Sequence, residues 1–183
     1  LARKFPLPVI HRPRKMGLGS AYNEAFSLAL RQGSELFFEM DADFSHHPKY
    51  IPDFLREIEN GYDLVVGSRR VPGGKIENWG PWRRLESGGA MWFSRVMLGL
   101  KTRDVTSGFK CYTKKAIQAM DLPAIKSNGY AFQEETIYRC EKAGLKVKEI
   151  PIIFTDRQQG KSKLSKKEVF NFFTTILRLK FRK

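Results

Sequence analysis

Leu36-Phe-Phe-Glu-Met-Asp-Ala-Asp-Phe-Ser-His-His-Pro48 is the stretch from which the fold can be read. An apolar run of strand length, Leu36 to Met40, breaks into two acids two residues apart. Pro48 then opens a segment, Pro48 to Glu59, in which Ile51, Phe54, Leu55 and Ile58 recur at helical spacing. Gly61 stops that helix, and Leu64 to Gly67 reads as a second buried strand. Strand, acidic loop, helix and strand in succession make one unit of an α/β protein. In open sheets of this kind ligands gather beyond the carboxyl ends of the strands, where Asp41 and Asp43 fall. Alternate strand residues point to one side at roughly 6 to 7 Å, so both carboxylates can face a single polar site.

Towards the amino end, Pro8 to His11 reads as a short strand. Lys15 to Gly19 forms a glycine-bearing loop that enters a helix capped by Ser20, with Tyr22, Ala25, Phe26 and Ala29 on one face and Gly33 as its stop. Towards the carboxyl end, Ser68 to Trp82 contains Pro72, Gly73, Gly74, Gly80 and Pro81, a long connection of functional or mobile character. A helix from about Arg84 to Leu98, a strand at Phe109 to Tyr112 and helices at Thr113 to Met120 and Tyr130 to Ala143 follow. Val147 to Ile150 and Ile152 to Thr155 are strands punctuated by Pro151. The last segment, Lys166 to Phe181, is helical and one-sided, with Val169, Phe172, Phe173, Ile176 and Leu177 in one stripe. The alternation predicts a mainly parallel sheet flanked by helices.

With 183 residues, 42% of them hydrophobic, the chain can bury one core. It opens on Leu1, and Leu1 to Pro8 lacks the apolar centre of a secretory signal, so the expectation is a chain that begins inside a domain. Two cysteines, Cys111 and Cys140, are read as packed thiols of a reducing compartment. No stretch approaches the roughly 20 apolar residues of a membrane span. The net charge of +14 demands an anionic partner, and from Pro151 onward nine Lys or Arg face only Asp156 and Glu168. Nucleic acid is disfavoured, because most phenylalanines sit at apolar strand or helix positions and the acids cluster where a phosphate backbone would be repelled.

Three features carry chemistry. Asp41 and Asp43 suit a hard divalent cation, since magnesium or manganese is usually held by one or two carboxylates together with substrate phosphates; His46 and His47 fit hydrogen-bonding or helix-entry roles. Arg69, Arg70, Lys75, Arg83 and Arg84 bracket the long connection, and guanidinium forks grip phosphate oxygens in pairs. Asp156 to Lys163 is a basic, glycine-containing loop ahead of a helix, suited to a second phosphate or to plain solvation.

The stretches Gly17-Leu-Gly-Ser-Ala-Tyr22, Glu39 to Pro48, Val66-Gly-Ser-Arg69, Thr106 to Tyr112, Asn128 to Gln133, Glu149 to Ile152, Asp156-Arg157 and Ser162-Lys163 together resemble the dolichol-phosphate mannose synthases of glycosyltransferase family 2. The resemblance implies a glycosyltransferase A-type fold lacking its amino-terminal strands, with a catalytic domain over residues 1–165 and a basic amphipathic helix over 166–183. It implies inverting transfer of mannose from GDP-mannose to dolichyl or another polyprenyl phosphate, dependent on Mg2+ or Mn2+, by a peripheral protein on the cytoplasmic face of a membrane. By position, Asp41, Asp43 and Ser45 match the metal and diphosphate motif, and Gly17, Gly19, Gln133, Arg157 and Lys163 the donor site. Arg69, Arg83 and Ser87 match the acceptor-phosphate site, and Glu135 a carboxylate near the sugar, with Glu134 standing where an apolar residue is common. A polyprenyl-phosphate glucosyl- or aminoarabinosyltransferase and a non-catalytic basic binding module are the alternatives.

Overall fold

The computed structural model describes residues 9–127, 129–155 and 166–181. In chain order they form α1 (Leu18–Arg31), β1 (Leu36–Glu39), α2 (Ile51–Glu59), β2 (Leu64–Ser68), β3 (Lys75–Glu77), α3 (Pro81–Leu98), β4 (Lys110–Thr113), α4 (Lys114–Ala119), α5 (Tyr130–Lys142), β5 (Val147–Pro151), β6 (Ile153–Thr155) and α6 (Lys166–Phe181). The main sheet has the order β1-β4-β2-β5, and β3 pairs with β6 in a small parallel ladder. β5 runs parallel to β2, whereas β4 lies antiparallel to both β1 and β2. Three of the four strands therefore point one way and the sheet is mixed. An apolar strand pattern carries no sign of direction, which is why the reversal of β4 was invisible in it. Its consequence is functional: the start of β4 arrives at the edge where β1 and β2 end.

The two-residue period of the strands sorts the core into two layers. Phe37, Leu64, Val66 and Tyr112 face α1, α3, α4 and α5 through Phe26, Met91, Ile117, Phe132 and Ile137. Phe38, Val65 and Cys111 face α2 through Phe54, joined by Phe109, Ile150 and Ile152. Each such fully buried large apolar side chain contributes about 1.5–3 kcal/mol. Both cysteines are buried free thiols in these layers.

Several elements differ from the sequence pattern. Val9 to His11 form no strand and have no strand partner among the described residues. α1 is capped by Gly17 at φ 92 instead of Ser20, whose hydroxyl accepts from Arg12 inside the first turn. The connection 68–82 has an ordered centre, since β3 pairs with β6 and Lys75 N–H donates to Ile152 O at 3.0 Å. α3 begins at Pro81, where the missing N–H is one that the first helical turn would leave unpaired in any case. The stripe expected on α6 splits: Phe172, Ile176 and Leu179 are buried while Phe170, Phe173, Leu177 and Phe181 stay exposed.

Glu134 explains how an acid occupies an interior position of α5. It is fully buried, Ser94 Oγ donates to its Oε1 at 2.8 Å, and its Oε2 has no partner among the described residues. Burial pushes its carboxyl up to about 8 against the smaller opposing effect of the Ser94 hydrogen bond, so at neutral pH it is packed as an acid rather than an anion. Because the folded value lies above the unfolded one near 4.5, the stabilisation is complete below that value and is lost as pH rises through about 8. Between about pH 5 and about pH 9, denaturant unfolding should show the wild type losing on the order of 4 kcal/mol relative to Glu134→Gln; a difference flat with pH would contradict this.

Candidate active site

Asp41 lies two residues beyond the end of β1, and its loop is folded onto itself. The Asp41 N–H donates to His46 Nδ1 at 3.0 Å, and Asp43 Oδ1 accepts from both the Ser45 N–H at 3.1 Å and the Ser45 hydroxyl at 2.6 Å. Phe44, between them, adopts φ 65, a left-handed conformation that costs a non-glycine residue about 1–2 kcal/mol, while its ring is exposed to solvent. That turn brings Ser45 back onto Asp43. His46 is buried, stacked on Phe109 with centroids 5.0 Å apart and edge-on to Phe154 at 5.6 Å. Burial, then the charge of Arg69, lowers it to about 4 despite Asp43 and Asp104. The ring is neutral at physiological pH, so its 3.9 Å approach to Asp41 Oδ2 is no ion pair; Nδ1 accepts and the proton sits on Nε2. His47 accepts from Lys49 N–H at 3.0 Å and opens the 3-10 turn before α2, a helix-entry role.

Gly108, two residues ahead of Lys110 on the reversed strand, marks where the site residues meet. A methyl group placed on it would lie 3.6 Å from Gln133 Nε2, 3.6 Å from His46 Cε1 and 3.8 Å from Asp41 Oδ1. Gln133 is held there from below by a buried network. Its amide nitrogen donates to Glu39 and its oxygen accepts from Lys110 Nζ. Lys110 also donates to Thr136 Oγ1 at 3.1 Å and lies 3.8 Å from Glu39, with Tyr112 OH donating to Glu39 at 3.0 Å. Burial raises Glu39 and lowers Lys110, each opposed by the other's charge.

The basic side of the site is equally fixed. Arg69 at the end of β2 makes a two-pronged pair with Asp104, Nε to Oδ2 at 2.7 Å and Nη2 to Oδ1 at 2.6 Å, and donates to Thr106 at 2.9 Å. Burial alone would raise Asp104, but the Arg69 charge and hydrogen bonds hold it below the usual carboxylate range. Glu149 of β5 receives the Arg103 and Asp104 N–H groups at 2.8 and 2.9 Å, which anchors this loop to the sheet. The Arg69 guanidinium lies 5.3 Å from the Phe154 ring and 5.9 Å from Trp79, whose ring also carries Arg83 at 4.2 Å. Phe154 thus touches the acidic loop through His46 and the basic cluster through Arg69.

The structure gathers Asp41, Asp43, Ser45, Gln133, Arg69 and Arg83 on one edge of the sheet. Ser87 lies one helical turn beyond Arg83, 3.5 Å from Arg70 Nη2. Gly17 and Gly19 open α1, whose Tyr22 stacks on Phe132 at 5.5 Å; burial and the charges of Glu39 and Asp41 raise its phenol. Glu135 stands apart. One oxygen accepts from the Ser127 hydroxyl at 2.6 Å, the other from Arg139 at 2.8 Å, and Arg178 of α6 lies 3.6 Å away. Two residues along a helix turn the side chain by about 200°, so Gln133 and Glu135 cannot share a face. Arg157 and Lys163 lie outside the described residues. Sequence reasoning missed Asp104, Lys110, Trp79 and Phe154; a lysine inside the apolar run Phe109 to Tyr112 was the one signal available. Among the described residues no three His, Cys, Asp or Glu side chains converge to hold a metal. Asp41 and Asp43 offer two carboxylates, a number that suits a cation whose shell is completed by substrate oxygens.

Residues 1–120 match the sequence profile of glycosyl transferase family 2. The chain belongs to that family. An undecaprenyl-phosphate mannosyltransferase of Micrococcus luteus is 43% identical over 157 residues, covering 86% of this chain and 64% of the relative. A polyprenol monophosphomannose synthase of Mycolicibacterium smegmatis is 44% identical over 158 residues, covering 86% and 59% respectively. The chain therefore spans about three-fifths of the length of these family members. Glucosyl-3-phosphoglycerate synthase of Mycobacterium tuberculosis, crystallised with Mn2+, UDP-glucose and phosphoglyceric acid, superposes with a TM-score of 0.61 at 17% identity, covering 93% of this chain and 56% of that one. That likeness establishes the glycosyltransferase A-type fold.

Proposed function

We propose that this family 2 chain carries out inverting transfer of mannose from GDP-mannose to the phosphate of dolichyl or another polyprenyl phosphate. The observation that supports it best is the adjacency, through Phe154, of the Asp41–Asp43 loop and the Arg69–Trp79–Arg83 stack. An acidic site and a basic site side by side suit two phosphorylated substrates, one of which must lose a diphosphate. The naming of two relatives as polyprenyl-phosphate mannosyltransferases favours mannose and that acceptor. Asp41 and Asp43 would hold Mg2+ or Mn2+, which supplies neutralisation of the leaving diphosphate. Ser45 orients Asp43, and Gln133 and the Asp41 backbone are held rigid by Lys110 and His46. Arg157 and Lys163 are assigned to the donor phosphates.

The acceptor phosphate is already ionised near neutral pH, so its oxygen attacks the anomeric carbon without a general base, and a single displacement inverts that centre. Arg69 and Arg83 fix the direction of attack; Asp104 keeps the Arg69 fork from swinging towards the leaving group. Glu135 is a positioning residue that ties α5 to the 122–127 turn and to α6. In the complete protein, Asp43→Ala should lower transfer from GDP-mannose to polyprenyl phosphate at least about 100-fold with unchanged circular dichroism; near-normal turnover would contradict the assignment.

Membrane approach is assigned to two helices, α3 and α6. Trp82, Leu85, Trp92 and Val96 of α3 form an exposed apolar stripe, continued by Phe170, Leu177 and Phe181 of α6, and Phe93 packs on Phe173 with centroids 5.1 Å apart. Arg83, Arg84, Arg95, Arg178 and Lys180 lie on the same helices, as interfacial helices at anionic headgroups require. Among the described residues no helix is long and apolar enough to cross a membrane. Cosedimentation with vesicles containing anionic phospholipid should drop several-fold in Trp92→Glu; equal recovery of the variant would remove α3 from the interface.

A further inference from the structure

A groove of about 580 Å3 lies where α3 and α5 end, towards the end of the sheet at which β2 and β5 begin and away from the edge that carries Asp41. That volume is in the range of pockets that enclose a small molecule. Its apolar lining is Leu98, Leu145 and Val147 with the rings of Tyr62 and Tyr138, all half-buried. Its charged lining is of both signs, but the two carboxylates are engaged by main-chain donors. Glu141 accepts from the Lys101 and Thr102 N–H groups at 2.8 and 2.9 Å, and Glu149 from those of Arg103 and Asp104 at 2.8 and 2.9 Å. Lys101, Lys142 and Lys146 are exposed and form no ion pair among the described residues. Lys142 complements the carbonyl end of α5, in whose last turn it stands. Lys101 and Lys146 lie past the ends of α3 and α5, so no helix end accounts for them.

The groove continues the apolar stripe of α3. Trp92 and Val96 are exposed, and with 3.6 residues per turn Gly99, where the helix ends at φ 67, falls on the same side. From the other direction, Tyr138 OH donates to Leu179 O at 3.3 Å, which sets the last turn of α6, with its exposed Phe181, beside the groove. An apolar surface bordered by ammonium groups matches a molecule with an anionic head and hydrocarbon chains, because covering the one and pairing the other are both favourable. An acidic protein segment would match the lysines equally, but it would not explain the stripe that leads into the groove.

We propose that this groove binds an anionic phospholipid, with Lys101, Lys142 and Lys146 at its phosphate and Leu98, Leu145 and Val147 under the start of its acyl chains. It rests on the membrane reading of α3 and α6 only for the choice of lipid over protein. The test is calorimetric titration of the 183-residue chain with short-chain phosphatidylglycerol kept below its micelle concentration, which needs no membrane. Short-chain phosphatidylcholine, glycerol phosphate and polyglutamate are the comparison ligands, with circular dichroism melts as a folding control. Phosphatidylglycerol should bind at least about tenfold more tightly than the other three, and Lys101→Glu/Lys146→Glu should weaken it at least about tenfold. If that variant does not fold, Lys101→Gln/Lys146→Gln carries the same test with a smaller loss. Equal affinity for glycerol phosphate makes the groove a plain phosphate site, equal affinity for phosphatidylcholine removes the lysines from it, and lysine-dependent binding of polyglutamate alone makes it a protein face. Each of these overturns the proposal, as does phosphatidylglycerol that fails to bind or binds the variants as tightly as the wild type. Vesicle cosedimentation separates it from the reading it rests on. Wild type held by anionic vesicles but blind to the short-chain lipid keeps the membrane approach and overturns the groove; short-chain lipid bound without vesicle recovery keeps the groove and overturns the approach.

Discussion

Lys110 is the constraint from which the rest of the site follows. It lies on the one reversed strand of the sheet, opposite Glu39 of β1 and Val66 of β2, and its ammonium is fully enclosed. An isolated buried charge is prohibitively expensive, so the chain is obliged to gather Glu39, Gln133 and Thr136 around it. Two residues beyond Glu39 the chain delivers Asp41; two residues before Lys110 it leaves Gly108; and the Gln133 amide lies 3.6 Å from a Cβ placed on that glycine. The side chains that meet above the sheet are the continuations of those that pair beneath it. Removal of one partner from such a network costs about 3–5 kcal/mol, and that cost specifies register as much as stability.

Around that base the charges are held in defined states. His46 is kept neutral by burial and by Arg69, so it supports the Asp41 loop as an acceptor instead of competing as a cation for the carboxylates. Asp104 is kept ionised by Arg69, so one guanidinium is locked in direction while contributing little net charge. Arg70, Arg83 and Arg84 then supply the positive field. Pre-oriented groups of this kind need no reorganisation when a charged substrate arrives, which is where electrostatic catalysis gains most.

Much of this was legible in the sequence because it depends on local rules. The apolar run ending in Asp41-Ala-Asp43, the helix after Pro48 and the glycine stops at Gly33 and Gly61 follow from period and backbone freedom alone. The position of Arg69 at a strand end was equally visible. What stayed hidden depends on contacts distant in sequence. The direction of β4, the pairing of β3 with β6, the bond between Arg69 and Asp104, and the burial of Phe172 while Phe173 stays exposed are all set by packing partners. Glu134 and Glu135 show the limit: adjacent acids on one helix differ in fate, one packed as a neutral acid against Ser94 and the other paired with Arg139.

The most direct test of the central claim is a crystal structure of the complete protein with Mn2+ and GDP-mannose, using anomalous scattering to place the metal. The account predicts manganese bound by the Asp41 or Asp43 carboxylate together with diphosphate oxygens, on the edge of the sheet that carries Gly108 and Arg69. Nucleotide bound with the metal elsewhere, or with both aspartates turned away from the diphosphate, would contradict it.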